Sequence, residues 1–340
     1  MNISVLIPCH NEEKSVRKCL ESVLSQTRKP DQIVVVNDAS TDRTAQILKS
    51  FGRKIKIVEL KTHSGGKSYA QHEGLFHVKG EVLVTTDSDS YLEPHFLERV
   101  ERAFENRETA AFAGYVRSTR DNWLTSCREL DYALGQNLHK KAQSNIGYLY
   151  VIPGCAGAFR TKMFKKTIKF EHDTLTEDLD FTYKLHKAGQ KVVYDDRAIC
   201  YTQDPNNLKA FVNQTRRWYA GGWQNLFKHI GLVKKQPQAA MELSFAYIEG
   251  TVFAGLLFAL PFINPRLYFS LMAVSMGIIS IFAIYSARKS NRWDTLPSIF
   301  LMPMIYYIQA YIFFEQFVSV ALIGQKNLTW YQPERSLAVQ

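Results

Sequence analysis

The chain has 340 residues, enough for one large domain or two smaller ones, and carries a net charge of +10. Its basic residues are dispersed apart from Arg216, Arg217 and a set beside the apolar C-terminal third, and no nucleic-acid-binding module is evident, so we expect no nucleic-acid partner. The five cysteines show neither C-x-x-C nor zinc spacing, which argues against a disulfide framework or a structural zinc site.

Short apolar runs predict six strands. They are Ile3–Pro8, Gln32–Val36, Lys56–Leu60, Glu81–Thr86, a run near Ala110–Val116, and Lys191–Tyr194. The first run is too short to be a signal peptide. Helical patterns separate the first four runs, and such alternation is typical of βαβ units, while continuous Val, Ile and Leu favour strands buried on both faces. The sequence therefore predicts an α/β fold with a mostly parallel central sheet.

Helical patterns lie between these strands. They are a pattern at Val16, Leu20, Val23 and Leu24, a helix through Leu48 capped by Ser40-Thr41-Asp42, Lys67–Val78, a helix to about Asn106, and a helix that Thr176 would cap. A longer segment, from Trp123 to Ser144, carries apolar residues three or four apart. That stripe is typical of core packing and also fits a helix lying in a membrane interface.

Three apolar stretches in the C-terminal part are long enough to cross the roughly 30 Å core of a bilayer. They are Leu243–Ile263, Leu267–Ala287 and Leu296–Ile323. The loop between the last two is basic, with Arg288, Lys289 and Arg292, whereas the loop between the first two has only Arg266. By the positive-inside rule, the N-terminal domain is predicted to be cytoplasmic in a multi-pass protein of the cell membrane. We expect a cytosolic domain with interface helices over 1–235, about three transmembrane helices over 236–325 and a short tail over 326–340.

Carboxylates follow two of the predicted strands. Asp38 ends the second strand, and Asp87 and Asp89 end the fourth, which is where ligands bind in parallel sheets. The chain lacks G-x-G-x-x-G and P-loop motifs, which argues against a dinucleotide enzyme or a P-loop NTPase. Asp87-Ser88-Asp89 suits Mg²⁺ or Mn²⁺ bound together with substrate phosphates, and a solvated turn is the alternative interpretation.

Two further motifs combine charge with a helix. Glu177 and Asp178 begin a helical pattern, where a carboxylate can act as a general base or only stabilise the helix dipole. The pentad Gln214–Trp218 joins an amide, two guanidinium groups and an indole. That composition suits a diphosphate beside a sugar ring, or alternatively a basic helix face with Trp at the membrane interface.

Two glycine-containing segments are candidates for close approach to a ligand. Gly65-Gly66-Lys67 would bring backbone amides and an ammonium group to a phosphate, or form only a turn. Gly154-Cys155-Ala156-Gly157 is a small-residue loop that suits either close approach of a ligand or tight packing. We therefore include Lys67 among the candidate residues for binding a phosphorylated donor. Gly154 and Cys155 are candidates for binding the molecule that would accept the transferred group.

In this order along the chain, the motifs resemble those of the inverting family 2 glycosyltransferases of GT-A fold, and among them the membrane-embedded synthases of cellulose, chitin, hyaluronan and poly-N-acetylglucosamine. The resemblance covers most of residues 1–235. The matching segments are Ile7–Glu12, Asn37–Asp42, Asp87–Asp89, Gly154–Arg160, Thr176–Asp178 and Gln214–Trp218. The phrase Arg217–Gly222 is most similar to the poly-N-acetylglucosamine synthases.

On the donor side, the resemblance implies that Asp38 contacts the uracil–ribose end of a UDP-sugar and that Asp87 lies near the nucleotide. It implies that Asp89 binds the Mg²⁺ or Mn²⁺ that bridges the diphosphate. Gln214 and Arg217 would hold the same diphosphate.

On the acceptor side, the resemblance implies that Asp178, beside Glu177, is the base that deprotonates the acceptor hydroxyl, and that Trp218 lines the acceptor site. The implied reaction is inverting transfer from a UDP-sugar, with UDP-N-acetylglucosamine as one candidate, to a growing polysaccharide. The alternatives are transfer of one sugar to a lipid or lipid-linked acceptor, and a non-catalytic membrane scaffold. Three helices form a thin wall around a polysaccharide, so a homo-oligomer or an accessory membrane subunit is a further expected partner.

Overall fold

A computed structural model describes residues 1–168 and 170–325. The chain divides into two compact units. Within the described residues, the first comprises Met1–Thr119 and Lys140–Gln203, and the second comprises Arg120–His139 and 204–325. The predicted tail over 326–340 lies outside the described residues.

The described part of the first unit contains one sheet of eight strands. They are β1 (Ile3–Cys9), β2 (Gln32–Asp38), β3 (Lys56–Leu60), β4 (Val82–Thr85), β5 (Ser90–Leu92), β6 (Thr109–Ser118), β7 (Gly157–Arg160) and β8 (Lys191–Thr202). Their order is β3-β2-β1-β4-β7-β6-β8-β5. The pairs β3–β2, β2–β1, β1–β4 and β6–β8 are parallel, and the other three are antiparallel. The predicted α/β class is confirmed, with a mixed sheet in which parallel pairs form a small majority.

The antiparallel pairs arise from β5 and β7, two short strands that the apolar runs did not predict. The sequence of β7, Gly-Ala-Phe-Arg, has low strand propensity, yet it lies between β4 and β6 and pairs with both. A Cβ on Gly157 would be 3.1 Å from the Pro153 carbonyl, so a larger residue would crowd the strand. Tertiary packing therefore overrides local propensity at this position.

The α-helices of the described residues are α1 (Val16–Leu24), α2 (Thr44–Ser50), α3 (Lys67–Leu75), α4 (Phe96–Glu105), α5 (Trp123–Leu134), α6 (Lys141–Asn145), α7 (Thr161–Met163), α8 (Glu177–Lys187), α9 (Leu208–Lys228), α10 (Gly231–Lys235), α11 (Pro237–Leu243), α12 (Gly250–Ile263), α13 (Pro265–Ser290) and α14 (Met302–Gln316). π-helical turns occupy Gly135–Lys140, Phe164–Ile168, Ser244–Glu249 and Phe317–Leu322, and 3₁₀ turns occupy Gly52–Lys54 and Trp293–Leu301.

The core of the first unit packs the sheet against its helices. Leu6, Val34 and Leu83 come from adjacent strands and are fully buried in one apolar cluster. Phe159 of β7 meets Phe181 of α8 edge to face in the same cluster, with ring centroids 5.0 Å apart. Each such side chain contributes about 1.5–3 kcal/mol on burial, so the strand ends that carry the polar residues rest on a stable frame.

The predicted cap of α2 differs from the structure. The helix begins at Thr44, and of the three predicted residues Asp42 accepts from the Thr44 amide at 2.9 Å. Ser40 accepts from the Asn11 amide at 3.0 Å, and Thr41 donates to the Asn11 side chain. Two of the three side chains therefore tie the loop after β2 to the loop after β1 instead of capping the helix.

The second unit contains the apolar helices. Three helical stretches among the described residues are long and apolar enough to cross a membrane: Pro237–Ile263, Pro265–Ser290 and Trp293–Leu322. They coincide with the three predicted stretches, which are confirmed as candidate spans.

The amphipathic stripe of α5 packs in the second unit. Cys127 and Leu130 are buried in a cluster with Phe211 of α9 and Met302 of α14. Trp123 at the start of the helix is 43% exposed. The stripe is therefore mainly core packing. The helix α5 ends at Leu134, and a π-helical turn over Gly135–Lys140 continues the predicted segment.

Candidate functional site

The turn after β4 carries two of the predicted carboxylates. The Ser90 amide donates to the Asp87 carbonyl at 3.0 Å, and the Ser90 hydroxyl donates to Asp89 Oδ1 at 3.0 Å. The Cys19 thiol donates to the same carbonyl at 3.3 Å. These bonds hold Asp87 and Asp89 on one tight turn at the carboxyl end of β4.

Lys67, the first residue of α3, joins this turn to α8. Its Nζ lies 2.7 Å from Asp87 Oδ1 and 3.1 Å from Glu177 Oε1. Burial disfavours the charged ammonium, but the carboxylates of Asp87, Glu177 and Asp178 outweigh it and raise the pKa of Lys67. Lys67 is therefore charged, and it fixes Asp87 and Glu177 relative to each other.

Gly154 lies against this ion pair. A Cβ at this position would be 2.8 Å from Lys67 Nζ, 3.6 Å from Glu177 Oε1 and 3.9 Å from Asp178 Cβ. Cys155 is buried, and its carbonyl accepts from the Cys200 thiol at 3.3 Å. The absence of a side chain at residue 154 leaves the space that the ammonium group occupies.

Glu177 and Asp178 are neighbours with different surroundings. Glu177 is buried against Lys67, whereas Asp178 is half-buried and its Oδ1 accepts from the Leu179 amide at 2.9 Å. Thr176 occupies the N-cap position of α8 but makes no side-chain hydrogen bond into the first turn, so its predicted capping bond is wrong. The first-turn carboxylates themselves complement the helix dipole.

Lys140 is a second buried ammonium group, and sequence reasoning missed it. It is 8% exposed at the end of a π-helical turn, with Nζ 5.7 Å from the centroid of the Tyr194 ring. Burial lowers the pKa of Lys140 to about 8, against smaller opposing effects from Cys155 and Asp178. A titratable cation therefore acts electrostatically on the half-buried carboxylate of Asp178.

Asp38 forms a separate polar group at the end of β2, where it is 2% exposed. Its Oδ1 accepts from the Ser64 amide at 2.7 Å, and its Oδ2 accepts from the Ser64 hydroxyl at 2.8 Å. His63 Nδ1 lies 2.9 Å from the same Oδ2. The His10 ring, which bonds through Nδ1 to the Asp38 carbonyl at 2.5 Å, stacks on His63 with centroids 4.1 Å apart.

The pentad Gln214–Trp218 lies on α9 in the second unit, arranged around Arg128 of α5. Arg128 is 4% exposed, and its guanidinium lies 4.7 Å from the Trp218 ring centroid. It donates to Gln214 at 3.4 Å, and its Nε lies 3.7 Å from the buried Asp204 carboxylate. Arg128 therefore orients both an amide and an indole that the sequence singled out.

The remaining arginines of the pentad differ in their contacts. Arg216 binds Glu315 of α14 in a bidentate way, with Nε–Oε2 and Nη2–Oε1 distances of 2.7 and 2.9 Å. Arg217 is half-buried. Arg216 therefore links α9 to a candidate membrane span.

The carboxylates beside Lys67 carry oxygen donors of the kind that a divalent ion prefers, and Lys67 already pairs with Asp87 and Glu177. Burial raises the pKa of Asp87; Lys67 opposes that increase, and the charges of Asp89 and Glu177 add to it. An ion held at Asp89 would add to the positive charge of Lys67 in offsetting the repulsion between these carboxylates.

Comparison with known proteins identifies the family to which part of the chain belongs. The family model described as "Glycosyl transferase family 2" matches residues 4–167. Residues 4–167 form a family 2 glycosyltransferase domain. The chain is accordingly a glycosyltransferase, and its first unit has the GT-A fold.

The glycosyltransferase is similar over nearly its whole length to a curated relative. It is 26% identical over 339 residues to the poly-beta-1,6-N-acetyl-D-glucosamine synthase of Staphylococcus epidermidis, an alignment that covers 97% of this chain and 79% of that protein.

Two solved structures share the fold. The mannosyltransferase PcManGT from Pyrobaculum calidifontis, in complex with GDP-Man and Mn²⁺, has a TM-score of 0.60 at 20% identity, covering 86% of this chain and 87% of that one. S. aureus TarS 1–349 in complex with UDP-GlcNAc has a TM-score of 0.53 at 17% identity, covering 88% and 90%. Both likenesses concern the fold.

The sequence singled out some residues of the candidate site and missed others. Asp87, Glu177 and Lys67 were singled out separately, and the structure joins them. Lys140 and Arg128 were missed, because single basic residues in a helical pattern look like solvated positions. The signal for Arg128 was weak: a charge near an apolar stripe on a helix.

Proposed function

We propose that this glycosyltransferase transfers a sugar from a UDP-sugar, with UDP-N-acetylglucosamine as the leading candidate, to a growing β-linked polysaccharide at the membrane, with inversion of the anomeric carbon. The observation that carries the proposal is the bridge by Lys67 Nζ between Asp87 and Glu177, because it ties the strand end predicted to bind the nucleotide to the helix start that carries Asp178. The choice of sugar and product is supported by the curated relative, a poly-beta-1,6-N-acetyl-D-glucosamine synthase. The donor is supported by the fold-level likeness to a UDP-GlcNAc complex.

Asp178 is proposed as the general base. Its carboxylate accepts the proton of the acceptor hydroxyl while that oxygen attacks the anomeric carbon, and the bond from that carbon to the diphosphate oxygen breaks with the electron pair leaving on UDP. Glu177 is engaged by Lys67 and would keep α8 in position. We assign the base to Asp178 and the structural role to Glu177 because Asp178 is half-buried and Glu177 is buried.

Asp89 would hold the divalent ion, which when bound would neutralise the departing diphosphate, and Asp87 would lie near the nucleotide. Asp38 is proposed to contact the uridine. The roles of Gln214, Arg217 and Trp218 in binding diphosphate and acceptor, and of Gly154 and Cys155 at the acceptor, stay predictions from the sequence.

Single transfer to a lipid or lipid-linked sugar is the second candidate. It is favoured by the three candidate spans among the described residues, a small number of helices for enclosing a polysaccharide. Under the first proposal, a homo-oligomer or an accessory membrane subunit would supply the further transmembrane helices needed to enclose the polysaccharide.

Product analysis distinguishes the two candidates. The purified protein is incubated with labelled UDP-sugars, each alone, in Mg²⁺ or Mn²⁺ and with membrane lipid. A high-mass product that a matching glycosidase degrades supports polysaccharide synthesis, and a single mobility shift of a lipid supports single transfer. If the protein neither hydrolyses nor transfers a sugar from any of the donors, both candidate functions are contradicted.

The base assignment is tested separately with Asp178→Asn. We expect the transfer rate to fall by about 10²–10⁴-fold, the typical contribution of a positioned base, with UDP affinity nearly unchanged. Rates are measured with labelled donor and affinity by calorimetry, and Asp173→Asn, an exposed carboxylate shortly before α8, is the control. Retained turnover in Asp178→Asn would overturn the assignment.

A further inference from the structure

Two imidazoles and one carboxylate converge beside the proposed donor-binding residue. His10, Asp38 and His63 each offer a ligand atom, and these atoms all lie within 4.8 Å of one another. The carboxylate of Asp38 is 2% exposed, whereas the side chain of His63 is 49% exposed. We call this group the histidine cluster; Asp38 is its proposed donor-binding member, and the two histidines have no role in the reaction proposed above.

We propose that the histidine cluster binds one transition-metal ion of the zinc type, and that the bound ion competes with the nucleotide donor. The competition rests on the proposed function, because it requires that Asp38 contact the donor. The metal site itself rests only on the three side chains.

The donor atoms select the class of metal. Two imidazole nitrogens and one carboxylate oxygen suit Zn²⁺ and its neighbours in the first transition row, whereas Mg²⁺ prefers oxygen alone. Tetrahedral Zn²⁺ with bonds of 2.0–2.1 Å has ligand atoms about 3.3 Å apart. His63 Nδ1 is already 2.9 Å from Asp38 Oδ2, and its exposed ring can move by the small distance that an inserted ion requires.

The hydrogen bonds around His10 prepare it as a ligand. Its Nδ1 bonds to the Asp38 carbonyl at 2.5 Å, which requires the proton on Nδ1 and leaves the lone pair on Nε2. Nε2 accepts a hydrogen bond from the Asn11 side-chain amide at 3.2 Å, and a metal ion bound at Nε2 would replace that bond. A backbone carbonyl that accepts from the second ring nitrogen is the usual outer-shell partner of a metal-bound histidine.

The backbone holds the two loops in the required positions. Asn11 and Ala39, which follow His10 and Asp38, have φ values of 52° and 50°, in the left-handed region that residues other than glycine seldom adopt. The Thr41 amide donates to Asn11 Oδ1 at 2.8 Å and so binds the loops together. The cluster is therefore preformed apart from the His63 ring.

Other candidate ligands in the described residues are poor competitors. Glu171, Asp173 and Asp180 also converge, but the Lys184 ammonium lies 2.8 Å from Glu171 and 2.6 Å from Asp180 and already neutralises them. All five cysteines are buried. A soft or borderline ion is therefore expected to reach the histidine cluster first.

Cobalt provides the test, because four-coordinate Co²⁺ has visible d–d absorption that Mg²⁺ lacks. Untagged full-length protein in detergent is titrated with Co²⁺ in excess Mg²⁺, and Zn²⁺ is then added to displace it. We compare wild type with His10→Asn and His63→Asn, with His95→Asn as the control because that exposed histidine lies outside the cluster. Melting temperatures near the wild-type value establish that the variants are folded.

We expect Co²⁺ absorption that Zn²⁺ removes in wild type and His95→Asn, and an affinity lowered by about tenfold or more in both cluster variants, since even outer-shell changes cost that much. Absence of the band in wild type, or unchanged affinity in both cluster variants, would overturn the metal site.

Competition is measured by kinetics in the same preparation. Zn²⁺ should raise the KM for the donor in wild type and His95→Asn and have a much smaller effect in His63→Asn. Binding of Co²⁺ without any change in KM would support the metal site and overturn the role of Asp38 in donor binding, so the two failures are distinguishable.

Discussion

Lys67 holds its ammonium group between Asp87 and Glu177, and that position depends on the missing side chain of Gly154. A methyl group 2.8 Å from Nζ is too close, and the ammonium must shift because it is the end of a flexible side chain. The bridge between the strand end and the helix start is thus sensitive to one carbon atom.

Gly154→Ala should therefore lower activity without unfolding the protein. We expect kcat/KM to fall by about tenfold or more, the effect of about 1.4 kcal/mol lost in the transition state, with a melting temperature close to wild type. Gly231→Ala is the matched control, since a Cβ there meets no atom within 4 Å. Equal activity in the two variants would refute the link between Gly154 and the ammonium position.

Lys140 predicts a pH dependence of stability. Its pKa is lowered from 10.5 to about 8 by burial, so between these values the unfolded chain binds more protons than the folded one. Folding stability should accordingly rise as the pH increases from about 8 to about 10.5. Below this window the charged, buried ammonium should lower the free energy of unfolding by about 3 kcal/mol.

Lys140→Met should remove this dependence and stabilise the protein at neutral pH. The effect is measured as the difference between the melting temperatures at pH ~7 and pH ~10. Comparing this difference between the variant and wild type removes the contribution of other groups that titrate in both proteins. Lys141→Met, next to it with a side chain 48% exposed, is the control and should leave the dependence as in wild type. A wild-type pH profile in Lys140→Met would show that this residue is not the titrating group.

At the scale of elements, α9 and α14 are joined by the pair of Arg216 and Glu315. Glu315 is the one acidic residue in the predicted stretch Leu296–Ile323, and a carboxylate in an apolar helix is costly unless it is paired. The bidentate bonds of 2.7 and 2.9 Å provide that pairing. The acidic residue in the span is therefore explained by a contact rather than by exposure to water.

A double-mutant cycle of Arg216→Met and Glu315→Gln should give a coupling free energy above about 1 kcal/mol, the upper end for exposed pairs. Unfolding in detergent is the measurement. The Arg102–Glu98 pair on α4, with an N–O distance of 2.5 Å and side chains 68% and 33% exposed, is the comparison and should couple more weakly. Coupling no larger for Arg216 and Glu315 would mean that the pair does not stabilise the helix contact.

At the scale of the whole molecule, the orientation in the membrane stays a prediction from loop charges. The structure adds that Arg292 pairs with Glu129 at 3.2 Å, so part of the basic loop charge is neutralised within the second unit. Arg288 and Lys289 still favour a cytoplasmic loop. We propose that the glycosyltransferase domain is cytoplasmic, where nucleotide sugars would be available.

Cysteine labelling tests that orientation. Lys54→Cys in the first unit and Arg266→Cys between the first two spans are both exposed, and the five native cysteines are buried. With a membrane-impermeant maleimide, Arg266→Cys should react in intact cells and Lys54→Cys only after permeabilisation. The reverse pattern would invert the topology.

Local patterns in the sequence were sufficient for the α/β class, for strands β1–β4 and for the three apolar stretches. The length of an apolar run and its periodicity are set by residues that are neighbours in the sequence, so they can be read without knowledge of the tertiary structure. The carboxylates at the ends of β2 and β4 followed from the same reasoning, because ligand sites in parallel sheets lie at strand ends.

Tertiary structure decided the contacts between residues far apart in the chain. Lys67 meets Glu177, Arg128 meets Trp218, and His10 meets His63 only because the strand order and helix packing bring them together. The strand β7 likewise has a weak sequence signal and gains its stability from two neighbours. Pairing across the sheet depends on topology, which local periodicity does not encode, and so the ion pair of Lys67, the partner of Glu315 and the histidine cluster emerged only from the folded chain.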